Sequence, residues 1–278
     1  MADTIINPPF TGVHNFRDVG RVINSFSRSN LRIQEGLLFR SGRLDEITPL
    51  DAQLMIEKYH LKTVIDLRTK SEHLKRKEVL GLEGSGVRHW DTVKIHFIGR
   101  RFEINLIKQL KWWKAIWFIL LMITGYRMAA IRIMGRNVMR PKGLIGLSKD
   151  SLQFCQSEIV QALEVYLNPQ AYPVLVHCTQ GKDRSGLVIM LILFILGVPV
   201  DLVKADYVLS NQGLERVRAS MMDEVMEIGM DGRYLEAPEI VVDEVWKFVQ
   251  EKGGVDVYLD EIGFGEDKRT KLRTLLLM

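Results

Sequence analysis

Apolar side chains along this chain gather into short dense runs, and the runs come in two lengths. Brief β-branched or aromatic runs at residues 37–41, 63–67 and 174–177 predict buried strands, the first of them leaving a hairpin. Longer runs predict helices. One spans about residues 49–60, with Thr48 as N-cap, Pro49 at the first position and Asp51 in the first turn, and with Leu50, Leu54 and Met55 facing inward. A second covers Leu187–Leu196, is apolar all round and therefore central and buried, and is stopped by Gly197 and Pro199. Further helices are predicted from Asp150 or Ser151 to about Leu167 and over 199–210, 213–230 and 238–252, and the stretches 255–262 and 268–276 close the fold. In the 238–252 helix, Val241, Val245, Phe248 and Val249 share one face. Residues 70–80 read as a charged helix, 81–86 as a turn and 87–90 as another strand. Strands alternating with helices imply one α/β domain over 1–278, with a partly parallel central sheet flanked by helices and a site at the strand ends.

Residues 92–147 interrupt this rhythm. Their apolar core, Ala115 to Gly125, is eleven residues long and is bounded closely by Lys114 and Arg127. That is well short of the roughly 20 residues a spanning helix needs. The remaining readings are a helical lid that buries its tryptophans over a cleft, an interfacial helix lying on anionic lipid, or a core helix of an enlarged domain. Charge sharpens the picture. The chain carries +4 overall, but residues 88–147 carry +10, leaving −6 for the rest. A basic block in an acidic body points to an anionic partner.

Composition adds two limits. Of 278 residues, 47% are hydrophobic and 26% charged, which is the balance of a folded globular protein. Two cysteines, Cys155 and Cys178, exclude a disulfide framework. A reactive thiol favours a reducing compartment, and residues 1–9 have neither the basic nor the apolar region of a secretory signal, so the expected location is cytoplasmic, with possible attachment at a membrane face.

The candidate chemistry lies where the 174–177 strand ends. Cys178 follows His177, then come Thr179, Gln180, Gly181, Lys182, Asp183, Arg184, Ser185 and Gly186, and then the buried helix. Loop amides and a helix N-terminus at one point make an anion site. Such an environment lowers a thiol pKa to roughly 3.5–7.5, so a thiolate is expected at Cys178. It would attack phosphorus and form a phosphocysteine that water hydrolyses. Arg184 would return to the bowl and hold phosphoryl oxygens with its planar fork. Gly181 permits the tight bend, Gly186 permits close helix packing, and Ser185 can donate to the sulfur. His177 orders the loop through its ring nitrogens. No His/Asp/Glu cluster has ligand spacing, so neither metal nor cofactor is expected.

The segment from His177 to Gly186 resembles the signature loop of cysteine-dependent protein tyrosine phosphatases. Its Lys182, Asp183, Arg184 version is similar to the branch of bacterial triple-specificity tyrosine phosphatases and their fungal relatives. Asn15–Asp18, Leu38–Leu44, Asp66–Arg68 and Asp206–Asn211 resemble other blocks of that branch, in the same order. The resemblance implies a tyrosine-phosphatase-like fold with a helical lid over 92–147. It implies an ion-pair network of Arg17, Asp18 and Arg40 beneath the loop. It favours Asp183 as general acid, ahead of Asp66 and then Asp91. Lys182 resembles the lysine of phosphatases that accept phosphoinositides as well as phosphotyrosine. The expected partners are a phosphotyrosine protein or a phosphoinositide, with peripheral contact to an anionic membrane and no nucleic acid. A silent phosphate- or lipid-binding module is the alternative from another class. Thiolate chemistry such as arsenate reduction is a third, and it needs Cys155 as a resolving partner.

Overall fold

The computed structural model describes residues 10–28, 30–73 and 90–278. Five strands form one sheet: β1 Arg17–Asp18, β2 Leu38–Ser41, β3 Thr63–Asp66, β4 Asp91–Lys94 and β5 Val174–His177, in the order β1-β2-β5-β3-β4. Only β1 runs antiparallel; the other pairings are parallel. Ser41, His177 and Asp66 stand abreast at the carboxyl ends of the three central strands, which is where α/β sheets place their sites.

Thirteen α-helices are described. The first five are α1 Val19–Phe26, α2 Pro49–Glu57, α3 Arg100–Lys108, α4 Trp112–Ile123 and α5 Arg127–Met134. A π-helical turn over Gly135–Met139 leads into α6 Arg140–Phe154 and α7 Gln156–Val165. After β5 come α8 Arg184–Ile195, α9 Val200–Gly213, α10 Arg218–Glu227, α11 Ile240–Glu251, α12 Val255–Ile262 and α13 Glu266–Leu276.

Each central strand feeds two cores because successive side chains leave opposite faces. Leu38, Ile65, Val174 and Val176 join the larger core, and Phe39, Val64 and Leu175 join the smaller one. Helix α8 lies in the larger core with every residue from Ser185 to Ile195 buried, which is why its sequence lacks a polar face. Its burial anchors the loop that precedes it.

The helix at Thr48 forms as expected. Thr48 Oγ1 accepts from the Asp51 amide at 3.1 Å, and Asp51 Oδ2 accepts from the Thr48 amide at 3.2 Å. That reciprocal cap satisfies two otherwise orphaned donors. Met55 is buried but Leu50, the second residue of the helix, is exposed. Strand β2 pairs with β1 across the intervening helix α1 and not through a hairpin. Ser151 lies inside α6, where its hydroxyl donates to the Leu147 carbonyl; the break comes at Cys155. A strand lies at Asp91–Lys94; residues 74–89, which hold the turn expected at 81–86 and most of the helix expected over 70–80 and of the strand expected at 87–90, lie outside the described residues.

The 92–147 insertion is helical and divides its labour. Phe102, Leu106, Leu110, Met134 and Val138 join the main core. Helix α4 buries none of its residues, and Trp112, Trp113 and Trp117 are all more than half exposed. The expectation that these tryptophans are buried over a cleft is not met, and neither is the core-helix reading of this stretch. No helix among the described residues is long and apolar enough to cross a membrane.

Truncating Leu191, at the centre of α8, leaves a cavity that close-packed neighbours cannot fill. Leu191→Ala is expected to lower the unfolding free energy by about 2–5 kcal/mol, read as a lower urea midpoint at unchanged slope.

Candidate active site

The loop from Cys178 to Asp183 connects the buried end of β5 to the N-terminus of α8. Gly181 has a φ of +67°, and a Cβ there would lie 1.9 Å from the Ser41 carbonyl oxygen. Only glycine meets both demands. Its bend turns the Gly181 amide onto Cys178 Sγ at 3.2 Å. Among the described residues, no acceptor takes the amides of Thr179, Gln180, Lys182 or Asp183. Unpaired amides beside a helix N-terminus present positive potential next to the sulfur. Ser185 Oγ is buried and has no partner among the described residues. Gly186 passes against Arg40 and the Tyr207 ring, where a Cβ would come within 3.0 Å of the guanidinium.

Arg184 reaches back to the loop mouth. Its two terminal nitrogens grip Glu72 at 2.8 and 2.6 Å, and they also donate to the Leu67 carbonyl at 3.1 Å and to Thr179 Oγ1 at 3.3 Å. Thr179 in turn donates to Glu72. The guanidinium beside it holds the Glu72 carboxyl well below the usual carboxylate range, against the opposing effect of burial. Glu72 is the residue that sequence reasoning missed. A signal existed: Thr69 and Glu72 have capping-box spacing, and the Thr69 amide donates to Glu72 at 2.7 Å while the Glu72 amide donates back to Thr69 Oγ1 at 3.3 Å. The cap fixes where the carboxylate points.

Beneath the loop sit two arginines with no exposure to solvent. Arg40 donates to the Gly181 carbonyl at 2.8 and 3.2 Å and to the Lys182 carbonyl at 3.1 Å. Asp206 bridges Arg40 and Arg17 at 2.6 and 2.7 Å, and Arg17 also donates to Ser210. Asn15 closes the frame by donating to the Gln180 carbonyl at 3.0 Å. The expected network therefore exists with a different acid. Asp18 instead caps α1, accepting from Arg21 and from Gly36. Two arginines side by side need a carboxylate between them, and only helix α9 brings one there.

The remaining expected residues separate clearly. His177 Nδ1 lies 3.2 Å from the Cys178 carbonyl and Nε2 lies 3.6 Å from Asp66, so both ring nitrogens face loop-supporting groups. Asp66 is buried, and Arg68 occupies both its oxygens at 2.8–3.2 Å. Desolvation is outweighed there by Arg68, which holds Asp66 far below the usual carboxylate range. Both Asp66 oxygens are taken by Arg68, and the carboxylate faces His177, so its place in the structure is that of a group holding those two side chains, which weighs against it as the acid. Asp91 pairs in register with Thr63, at the amino end of the parallel strands and opposite the loop. Asp183 is 41% exposed and accepts from Lys182 Nζ at 2.7 Å. Lys182 is fully buried, so its charge is spent on Asp183. Cys155 and Cys178 are both free thiols, and burial pushes Cys155 up to about 12.

A cysteine at a strand end, a bent amide loop and an arginine returning from the next helix sit together at the carboxyl edge of an α/β sheet. The model of the tyrosine phosphatase family matches residues 8–278, and this chain belongs to that family. It is 28% identical over 127 residues to the triple specificity protein phosphatase PtpB of Mycobacterium tuberculosis, covering 38% of this chain and 44% of that one. It is 35% identical over 99 residues to a putative tyrosine-protein phosphatase of Cupriavidus necator, covering 31% and 33%. The chain thus spans less than half the length of these curated relatives. Among solved structures it is similar to the catalytic core of the PP-IP phosphatase SIW14 of S. cerevisiae, with a TM-score of 0.32 and 14% identity over 63% of this chain and 72% of that one. A second structure of the Siw14 catalytic core gives a TM-score of 0.36 and 12% identity over 80% and 89%.

Removing Asp206 leaves two buried guanidiniums facing each other. Asp206→Ala is expected to cost about 3–5 kcal/mol in chemical denaturation. Stability should also depend on pH with a definite sign. Burial lowers the His177 pKa, so the unfolded chain takes up that proton first as pH falls below about 6.5. Asp66, Glu72 and Asp206 are all depressed, so their contributions are present above about pH 4 and lost as pH falls further. Urea midpoints measured from pH 8 to 3 should decline in those two stages.

Proposed function

We propose that this protein hydrolyses phosphate monoesters through a phosphocysteine, and that its substrate is phosphotyrosine in proteins. The observation that carries this reading is the Gly181 amide on Cys178 Sγ, inside a loop whose other amides are unpaired and whose mouth holds Arg184. The sulfur attacks phosphorus, a P–S bond forms and the P–O ester bond breaks. Asp183, the exposed acid at the loop rim, gives its proton to the departing phenolic oxygen. Water then attacks phosphorus, Asp183 takes the water proton, and the P–S bond breaks to release inorganic phosphate. Ser185, with its hydroxyl unpartnered, is free to donate to the departing sulfur.

Arg184 supplies the charge that meets the equatorial oxygens. Glu72 orients it, and the Nε hydrogen is the donor with no described acceptor. A two-point hold on phosphate uses that hydrogen together with the one now on Thr179. Thr179, Gln180, Gly181, Lys182, Ser185 and Gly186 build the rest of the bowl by their backbone.

Phosphoinositides are the second reading, and Lys182 is its basis. The pairing of Lys182 with Asp183 weighs against it, because a second phosphate on a ring would have to displace that aspartate. A silent binding module is disfavoured by the intact Cys178, Arg184 and Ser185, which binding alone does not require.

Phosphate release from a phosphotyrosyl peptide tests the reading directly. Cys178→Ser should abolish it; retained turnover would falsify the phosphocysteine route. Asp183→Asn should lower kcat by roughly 10²–10⁴, whereas Asp66→Asn should act mainly through stability. Glu72→Gln removes a charged hydrogen bond from Arg184 and should lower kcat/KM by about 10–100-fold with the fold retained. A faster turnover of mono-phosphorylated phosphoinositides than of the peptide would replace the substrate assignment.

A further inference from the structure

Helix α4 is the least explained element of the molecule. Of sixteen exposed large hydrophobic side chains among the described residues, nine lie between Trp112 and Tyr126. Only Lys114, Ala115, Phe118 and Leu121 are partly covered, and they line up at helical spacing on the side that meets α5. The opposite side presents Trp112, Trp113, Ile116, Trp117, Leu120 and Ile123 to solvent. An apolar face of this kind, rimmed by charge, marks an interaction surface.

Its surroundings identify the partner. From Ile104 to Lys149 the chain contains no aspartate or glutamate and nine lysines and arginines. Lys108 and Lys111 flank the start of α4, are exposed and make no ion pair with a described residue. Arg127, Arg132 and Arg136 follow on the return helix and the π turn, and they too are exposed. Lys114 is folded over the Trp113 ring at 5.0 Å and bonded to Asn137, which clears the tip of charge. A second copy of this chain would bring two such basic surrounds together with no acid between them. An anionic bilayer offers the complement: hydrocarbon for the face and phosphate or carboxylate headgroups for the rim. The twelve residues of α4 reach about 18 Å, against about 30 Å of hydrocarbon, so the helix lies in the interface and does not cross it.

We infer that α4 is an interfacial helix that seats the protein on an anionic lipid surface, with the tryptophans at headgroup depth. Its connection to the site is short and runs through one hydrogen bond. Arg127, which opens the return helix, donates to Ser71 at 2.9 Å, and Ser71 adjoins the Glu72 that holds Arg184. Seating α4 thereby places the lipid surface beside one wall of the candidate active site. The inference stands apart from the phosphatase reading, because lipid binding is measured without turnover.

The test is sedimentation of the full chain with vesicles of phosphatidylcholine alone and with about 30% phosphatidylserine. The wild-type chain should bind the anionic vesicles preferentially and lose that binding as salt rises. Trp112→Glu combined with Trp117→Glu should lower the partition coefficient at least about tenfold. Lys108→Glu with Lys111→Glu should erase the preference for anionic vesicles. Both variants alter exposed side chains, so hydrolysis of a small soluble aryl phosphate should match wild type, which also verifies their folding. No binding by wild type, or equal binding by the tryptophan variant, overturns the inference. So does a dimer in sedimentation equilibrium that the tryptophan variant abolishes while vesicle binding is absent, because the partner is then a second copy.

Discussion

The bent loop after β5 exists because a buried guanidinium holds it from below. Arg40 donates to two successive loop carbonyls, Gly181 and Lys182, and so turns them away from Cys178. Turning carbonyls downward turns amides upward. The electropositive bowl around Cys178 is thus the other side of the Arg40 contact. Gly181 makes the geometry possible, and Arg40 makes it permanent.

Holding two arginines without solvent is expensive. Desolvation lowers the Arg17 pKa to about 10 even with Asp206 in contact, so burial opposes the charge more strongly than the pair restores it. A hydrophobic core of equal volume would serve stability as well or better. The benefit is positional: Asp206 ties α9 to β1 and β2, and Arg40 ties β2 to the loop. The same logic recurs at the mouth, where Glu72 orients Arg184, and behind the cysteine, where Asp66 holds Arg68 and faces His177. Three carboxylates thus surround the site, each committed to an arginine, whereas Asp183 lies at the rim, 41% exposed and paired with Lys182.

The insertion follows a separate rule. Helices α3 and α5 contribute side chains to the main core, while α4 contributes exposure. Its surface chemistry is continuous with the acid-free stretch around it, so the segment has one character that the rest of the chain lacks. Position also matters, since the return helix touches the helical turn that carries Glu72. Surface and site share a wall.

Local chemistry and periodicity determined much of this protein. The apolar runs located β2, β3, β5 and the buried α8, the Thr48 cap located α2, and the spacing from Cys178 to Gly186 located the loop, because each depends only on residues near one another in the chain. Tertiary contacts decided the rest. Asp206 replaced Asp18 between the arginines because α9 folds back over β1, and Asp91 was removed from the site because parallel pairing put it at the far end of the strands. Asp66 was legible as a strand-end carboxylate, but its occupation by Arg68 was not. Whether α4 was core, cover or surface depended on what packs against it. Sequence pattern shows which side chains avoid water; only the tertiary structure shows which of them succeed.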